Sequence, residues 1–172
     1  MKRSARCGGT APTPFPVRRE PAALAAHTPT VSHVDTVNYR ICYSSGVGDW
    51  DIYLTSEVAA WLENLQVTDA KTAGLADDAI YTLSRTGPAL GRPLVDTITA
   101  SKIKNLKELR PGSSGTSEIR ILFVFDPWRS AILLVAGDKS GKWKRWYAEA
   151  IPHAEQLYEI YLKERAEEET AR

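Results

Sequence analysis

The sequence predicts an α+β fold in which a small, mainly antiparallel β-sheet packs against two N-terminal helices and one C-terminal helix. Three apolar runs of strand length follow residue 103, and the short links between them favour antiparallel pairing. Three other segments repeat apolar residues at helical spacing, two before these runs and one after them. With one short strand at the start, the predicted order is β-α-α-β-β-β-α over residues 47–165.

The composition is that of a globular protein. The chain has 172 residues, 43% of them hydrophobic, which fits one domain plus a surplus. No stretch approaches the roughly 18 consecutive apolar residues of a membrane span, and no apolar signal-peptide core follows the basic start. Only Cys7 and Cys42 are present, without metal-ligand spacing, which argues against a disulfide scaffold or a structural zinc site. We therefore expect a cytoplasmic protein with no metal, no other cofactor and no membrane partner.

Residues 1–46 are predicted to form a disordered extension. Five of the ten prolines lie in residues 1–36, among Ala, Thr and Ser, and such a composition buries too little apolar surface to offset chain entropy. Residues 37–43 alternate in character, so that either an edge strand or a continuation of the extension fits them. A start codon assigned too far upstream would explain the extension as well as a functional arm would.

The first half of the domain is predicted as a strand and two helices. The strand is predicted over residues 50–54, where side chains alternate in character. A helix follows, because apolar residues recur at i, i+3, i+4 and i+7 after a Thr or Ser cap, namely Val58, Trp61, Leu62 and Leu65. A second helix is predicted over residues 69–85, ended by Gly87, with a loop at residues 91–93.

The second half is predicted as three strands and a helix. The strands are expected at residues 105–110, 119–125 and 131–136, and the middle one is apolar on both faces and therefore central. The helix is expected at residues 149–165, with apolar and charged residues on opposite sides, before a charged tail at residues 166–172.

Charge is nearly balanced over the whole chain, with 22 basic and 21 acidic side chains, but it is unevenly spread. Net charge is +4 over residues 1–46, −5 over 47–101, +6 over 102–145 and −4 over 146–172. A basic block between two acidic ones indicates a positive face suited to nucleic acid, or an ordinary solvated surface with uneven charge.

Familiar catalytic motifs are not found. Gly137–Lys142 looks like a phosphate-binding loop, but only three residues separate its glycines, and Trp143 stands where that motif needs Ser or Thr. No pair of carboxylates stands out as an acid–base couple, so classical hydrolase chemistry is not indicated.

Basic residues lie on strands that otherwise build the core. Because neighbours in a strand point to opposite faces, Arg110 shares a face with Glu108, and Arg120 shares one with Leu122 and Val124. An Arg in so apolar a strand is costly unless its guanidinium reaches water or an anion. Arg120 is therefore either a functional cation or a residue at the solvated end of its strand.

The segment after the last predicted strand interleaves four bases with three aromatic rings: Lys139, Lys142, Lys144 and Arg145, with Trp143, Trp146 and Tyr147. This pattern suits single-stranded RNA, because charges track phosphates and rings stack on unpaired bases. The alternative is that at least one of the rings anchors the C-terminal helix onto the core.

Five segments, in their order along the chain, carry a resemblance to a known family: Glu57–Leu65, Leu90–Pro93, Leu106–Arg110, Arg120–Phe123 and Ala131–Lys142. Together they resemble RelE/HigB-type toxins of bacterial toxin–antitoxin pairs, in the branch shared with phage-derived and actinobacterial proteins. The resemblance covers about residues 47–165 and implies a RelE-like fold, in which a sheet cups a basic RNA site with helices behind it.

The resemblance implies the toxin of a type II toxin–antitoxin pair, which is a metal-independent, ribosome-dependent mRNA endoribonuclease that inhibits translation. In such toxins the RNA 2′-hydroxyl attacks the adjacent phosphate, and Lys, Arg and sometimes Tyr or His side chains transfer protons and stabilise charge. The implied partners are a helix-turn-helix, HigA-like antitoxin, which forms a hetero-oligomer with the toxin, and the ribosome with its mRNA.

The resemblance also implies site residues. Arg110 and Arg120 match basic positions that line the family's sheet, and Lys139 matches the lysine after the last core strand. Family members often have two adjacent lysines there, whereas here Ser140 takes the second place and the next lysine is Lys142. The predicted catalytic residues are therefore Arg120, Lys139, Arg110 and Lys142.

The predicted RNA-binding residues are Lys104, Lys107, Lys144, Arg145, Trp143, Trp146 and Tyr147. Lys107 is the weakest choice, since strand alternation puts it opposite Arg110. Tyr147 is a candidate general acid only if it folds back over the sheet.

Two other functions stay open. RelE-like folds include toxins that poison gyrase, and a further alternative is an inactive copy that binds only its antitoxin. The basic sheet and the aromatic segment favour RNA over gyrase, while the missing second lysine and the long extension leave the inactive copy open.

Overall fold

The computed structural model of the protein describes residues 39–41 and 49–170. The strands are β1 (Tyr39–Ile41), β2 (Asp51–Leu54), β3 (Val95–Thr97), β4 (Lys107–Leu109), β5 (Ile119–Phe125) and β6 (Ser130–Asp138). The helices are α1 (Ser56–Thr68), α2 (Ala70–Thr86) and α3 (Trp143–Thr170), and a short 3₁₀ turn at Gly87–Ala89 ends α2. Apart from β1, the predicted extension lies outside the described residues, and its disorder stays a prediction.

The six strands form one sheet in the order β1-β2-β6-β5-β4-β3. Among the strands in the described residues, only β2 and β6 pair in parallel, and every other neighbouring pair is antiparallel. The two long strands, β5 and β6, lie at the centre and are buried along most of their length, as their apolar sequences require. The α+β class and the mainly antiparallel sheet are confirmed.

Helices cover both faces of this sheet. On one face, Ile121 and Phe123 of β5 belong to the core formed with α1 and α2. On the other, Leu122 and Val124 belong to the core formed with α3, where Ala154 is fully buried. Successive side chains of β5 point to opposite faces of the sheet, and nearly all of them are apolar, so this strand contributes to both cores.

Capping side chains fix where the first two helices begin. The Thr55 hydroxyl accepts from the Val58 amide at 3.3 Å and donates to the Leu134 carbonyl of β6 at 2.9 Å, which ties α1 to the sheet. The Asp69 carboxylate accepts from the Thr72 amide at 3.1 Å and from the Ser114 hydroxyl at 2.8 Å. The start of α2 therefore also holds the loop between β4 and β5.

The structure differs from the predicted elements mainly at β3, at the strand predicted over residues 105–110 and at both ends of the last helix. β3 was not predicted, because a strand of three residues is too short to show a recognisable alternation of apolar and polar side chains. It pairs with β4 at the edge of the sheet. The predicted strand at residues 105–110 is shorter, since only Lys107–Leu109 pairs as a strand. Residues 37–43, left open above, contain β1, which pairs with β2.

The last helix is longer at both ends than the predicted 149–165, because it runs from Trp143 to Thr170. At its start, Trp146, Tyr147, Ala150 and Ile151 pack on the sheet at helical spacing, so the aromatic segment is helical. At its end, Arg165 pairs with Glu168 at 3.0 Å and lies over the Trp128 ring, which holds the last turns in place. The helix therefore includes most of the predicted tail.

Candidate active site

Charged side chains gather on the face of the sheet that α3 covers, where β4, β5 and β6 run side by side. Glu108 lies in β4 opposite Leu122 of β5, and Arg120 lies in β5 opposite Gly137 of β6. Both side chains are almost completely buried, with residue exposures of 6% and 8%. A buried charge is costly unless it is paired, so the partners of these two residues determine what the cluster can do.

The Glu108 carboxylate is the centre of the cluster. Its Oε2 atom accepts a hydrogen bond from the Tyr147 hydroxyl at 2.5 Å and lies 3.8 Å from Arg120 Nε. Its Oε1 atom lies 3.8 Å from Arg110 Nε. Both guanidinium distances are too long for hydrogen bonds, so the two cations are attracted to Glu108 without being bound tightly by it. We refer to Glu108, Arg110, Arg120, Lys139 and Tyr147 as the β4–β5 cluster.

Arg120 keeps an unused donor inside the protein. One terminal nitrogen donates to the Ile119 carbonyl at 2.7 Å, whereas Nε is buried and has no hydrogen-bond partner within the described part of the chain. Leaving a buried donor unpaired costs about 1–3 kcal/mol. Arg120 is therefore not at a solvated end of its strand, which corrects one of the two interpretations above.

Tyr147 reaches the cluster from the first turns of α3. The neighbouring Trp146 packs closely on Gly137, since a Cβ added to Gly137 would lie 2.6 Å from the indole nitrogen. The start of α3 therefore lies in direct contact with β6. Desolvation by burial, and then the hydrogen bond to the Glu108 carboxylate, raise the pKa of Tyr147 to about 12. The phenol is thus a neutral proton donor at physiological pH. The fold-back that its predicted role required is observed.

The two predicted lysines occupy different surroundings. Lys139 is mostly buried, with Nζ 3.2 Å from Glu118 Oε2 and 6.0 Å from the centre of the Tyr147 ring. Lys142 is exposed in the turn before α3, where its amide donates to the Lys139 carbonyl at 3.1 Å. The structure therefore brings Arg110, Arg120 and Tyr147 together around Glu108, with Lys139 beside the Tyr147 ring, and it places Lys142 in the adjoining turn.

The predicted RNA-binding residues are spread over several surfaces. Lys107 lies opposite Phe123, a residue of the core on the other face, so it points away from Glu108, as strand alternation predicts. Lys104 is exposed in the loop before β4. At the start of α3, Trp143 is 56% exposed with Lys144 Nζ 5.5 Å from its ring centre, and Arg145 pairs with Glu149.

Two of the three aromatic rings serve as anchors. Trp146 and Tyr147 are half-buried against the sheet and contact each other edge to face at 5.0 Å between ring centres. The anchoring alternative is thus confirmed for these two rings, while Trp143 remains available at the surface.

Glu108 is the residue that the sequence analysis did not select. Alternation placed it on the face of Arg110, but its contacts with Arg120 and Tyr147 depend on sheet register and on where α3 begins, neither of which can be read from the sequence. Among the residues that the structure describes, no group of three His, Cys, Asp or Glu side chains is placed to hold a metal ion. Within the same residues, no helix is long and apolar enough to cross a membrane.

Comparison with known proteins agrees with this fold. A family described as "Phage derived protein Gp49-like" matches residues 61–159, which include most of α1, all of α2, the β4–β5 cluster and most of α3. The chain belongs to the Gp49-like family. No solved structure matches this Gp49-like chain.

Two relatives of this Gp49-like protein come from Mycobacterium tuberculosis. The first, named "Putative toxin HigB2", is 52% identical over 105 residues, which are 61% of this chain and 51% of the relative. The second, named "Putative toxin HigB3", is 58% identical over 84 residues, which are 49% of this chain and 71% of the relative. The chain thus matches about half the length of the first relative. The similarity confirms the resemblance to HigB-type toxins.

Proposed function

We propose that this protein is the toxin of a type II toxin–antitoxin pair and that it acts in the cytoplasm as a metal-independent mRNA endoribonuclease on the ribosome. The toxin names of two close relatives support the first part. One observation carries the second: two arginines and a neutral phenol meet around a single buried carboxylate, Glu108, and a lysine lies 6.0 Å from the centre of the phenol ring. The natural partner is a helix-turn-helix, HigA-like antitoxin that forms a hetero-oligomer with the toxin.

The proposed reaction uses the RNA's own 2′-hydroxyl as nucleophile. Its proton passes to solvent as its oxygen bonds to the adjacent phosphorus, the bond from phosphorus to the 5′-oxygen breaks as that oxygen takes a proton, and the products are a 2′,3′-cyclic phosphate and a 5′-hydroxyl. Negative charge grows on the phosphoryl oxygens in the transition state, and cationic donors that are already in place stabilise it.

Arg120 and Arg110 supply that stabilisation. The buried Nε of Arg120 has no hydrogen-bond partner among the described residues and is a donor that a phosphoryl group would satisfy. Arg110 pairs through Nη1 with Asp96 at 3.4 Å, and its Nε, 3.8 Å from Glu108, faces the β4–β5 cluster. An anion at this point would also remove the cost of the unpaired donor. Lys139 lies in the same cluster and pairs with Glu118 at 3.2 Å between Nζ and Oε2, so it is a third cationic side chain near the phosphate.

Tyr147 supplies the proton for the leaving 5′-oxygen. Its phenol is protonated at neutral pH, and an alkoxide leaving group is more basic than the phenolate, so transfer is downhill. Glu108 Oε2 lies only 2.5 Å from that hydroxyl, whereas the attacking and leaving oxygens of an in-line displacement lie on opposite sides of phosphorus. Glu108 therefore positions Tyr147 and the arginines and does not act as the opposing base.

Induction in a bacterial host, with growth recorded and mRNA 5′ ends mapped, tests the proposal. The wild-type chain and Arg85→Ala, a control at an exposed position of α2, should both arrest growth and produce new ends within translated frames. Tyr147→Phe, which keeps the ring, should reduce cleavage by about 10²-fold or more while accumulating to the same level. Co-expression of the adjacent gene should relieve the arrest.

Two results would contradict the proposal. Growth arrest with intact mRNA would indicate another target, such as gyrase. Absence of arrest, with the folded protein shown to accumulate, would indicate a copy that only binds its antitoxin.

A further inference from the structure

A cavity of about 490 Å³ opens beside the β4–β5 cluster, between α3 and the loop that precedes β4. Its size lies within the range of small-ligand sites and exceeds what one planar ring needs. Tyr147 belongs to both places, because it lines the cavity while its hydroxyl contacts Glu108. A ligand in this cavity would therefore lie next to the group that we assign as proton donor.

The lining combines an apolar wall with charged groups. Ala148, Ile151 and Pro152 of α3 face Ala100 of the loop and supply flat contact area without hydrogen-bonding side chains. Lys102 and Lys144 line the same cavity from the loop and from the helix, one on each side. An apolar wall between two cations fits a flat, uncharged ring that carries a phosphate.

Glu155 favours a ring that carries an N–H donor. One of its oxygens, Oε1, accepts from the Ser101 hydroxyl at 2.8 Å and from the Lys102 amide at 2.7 Å, which holds the carboxylate in place at the cavity. The other oxygen, Oε2, is 3.9 Å from Lys102 Nζ, too far for a hydrogen bond. Oε2 can therefore accept from an N–H group of the ligand.

We propose that this cavity binds one nucleobase of the substrate RNA, adjoining the scissile phosphate, and that it favours bases with an exocyclic amino group. In this proposal the side chain of Tyr147 and the apolar wall contact the ring of the base. Lys102 and Lys144 attract the flanking phosphates, and the Glu155 carboxylate accepts a hydrogen bond from the amino group of the base. This subsite rests on the proposed ribonuclease function, since an RNA strand across the β4–β5 cluster would bring a base to it.

Binding of nucleoside monophosphates to the full chain tests the subsite without requiring cleavage. CMP and UMP are the matched probes, because they share ring size and phosphate and differ at the amino position. In methyl NMR spectra, CMP should shift the Ala148 and Ile151 signals and bind at least threefold more tightly than UMP. Inorganic phosphate alone should not reproduce these shifts.

Ala148→Trp fills the cavity from an exposed helix position, and Ala60→Trp makes the same change on exposed α1. CMP binding should weaken at least tenfold in the first variant and stay unchanged in the second, with equal unfolding midpoints for both. Unchanged CMP binding by Ala148→Trp, equal affinity for CMP and UMP, or full reproduction of the shifts by phosphate would each overturn the proposal.

The subsite and the proposed function fail in different ways. RNA cleavage by a protein that shows no CMP shifts at these methyl groups would leave the ribonuclease standing and remove the subsite. CMP binding at these groups by a chain that cleaves no RNA would remove the ribonuclease role and with it the assignment of the base to a substrate.

Discussion

The hydroxyl of Tyr147, in the first turns of α3, donates a hydrogen bond to the carboxylate of Glu108 in β4, 39 positions earlier in the sequence. This contact joins the C-terminal helix to β4, which ends directly before Arg110, the first arginine of the β4–β5 cluster. Together with burial, which is the larger cause, it raises the pKa of Tyr147, because a facing carboxylate disfavours the phenolate.

Removing the negative charge of Glu108 should lower the pKa of Tyr147. Burial is the larger cause of its value of about 12, so Glu108→Gln should move the pKa only part of the way back towards the ordinary value of 10. Carbon-13 NMR of the tyrosine ring at pH 11 should show Tyr147 neutral in the wild type and partly ionised in the variant.

Tyr161 serves as the internal control for that titration. Its pKa is raised by burial and by a hydrogen bond to Asp126, so Glu108→Gln should leave it unchanged. A Tyr147 that ionises identically in the wild type and in the variant would show that the two side chains do not face each other in solution.

Arg120 should matter for stability as well as for catalysis. Removing one member of a buried charge pair leaves the other uncompensated, so Arg120→Met should lower the free energy of unfolding by about 3 kcal/mol. In a double-mutant cycle by urea denaturation, adding Glu108→Gln should cost less in the Arg120→Met background than in the wild type. Strictly additive losses would mean that the two charges are not coupled.

Gly87 and Gly74 should respond in opposite directions to alanine. Gly87 has φ +61° and a Cβ there would lie 2.1 Å from the Trp50 indole nitrogen, so Gly87→Ala should destabilise the fold by about 2–4 kcal/mol. Gly74 lies inside α2 with nothing near its added methyl group, so Gly74→Ala should stabilise by about 0.5–1 kcal/mol. Thermal unfolding checks both, and equal shifts would contradict the packing of Trp50 on Gly87.

Asp69 should make the start of α2 sensitive to acid. Hydrogen bonds from the Thr72 side chain, the Thr72 amide and Ser114 lower its pKa below 3.8 in the folded chain. A lowered folded pKa means that this contribution to stability is complete above the unfolded pKa and is lost as pH falls through the folded one. Asp69→Asn should therefore be less stable than the wild type at pH 7, and the difference should shrink below about pH 3.8. A constant difference down to pH 2 would contradict the assignment.

Local pattern was enough to predict most elements and the faces of the key strands. Alternation placed Arg110 with Glu108 and put Lys107 on the other side, which the register of β4 on β5 confirms. The unpredicted β3 shows where this reasoning stops: a three-residue strand exists because β4 is there to pair with it, and no periodicity within Val95–Thr97 marks it.

The candidate site was predictable by residue type and only partly by arrangement. The two arginines and Lys139 were selected from strand patterning and from the family resemblance. A basic residue in an otherwise apolar strand can be recognised from a few neighbouring positions in the sequence. The role of Glu108 was not visible, because its partners come from β5 and from α3, and α3 begins within the segment that was interpreted as RNA-binding. Contacts between distant parts of the chain are fixed by tertiary packing, which no local window contains.

The most direct test of the central claim is the chemistry of the RNA ends left by the purified chain on programmed, translating ribosomes. We expect cleavage within the translated frame that needs no added metal, with a 2′,3′-cyclic phosphate on one product and a 5′-hydroxyl on the other. Cleavage should fall about 10²-fold or more in Tyr147→Phe and stay unchanged in Arg85→Ala. Intact mRNA with the wild-type chain, or products that carry a 5′-phosphate, would contradict the account.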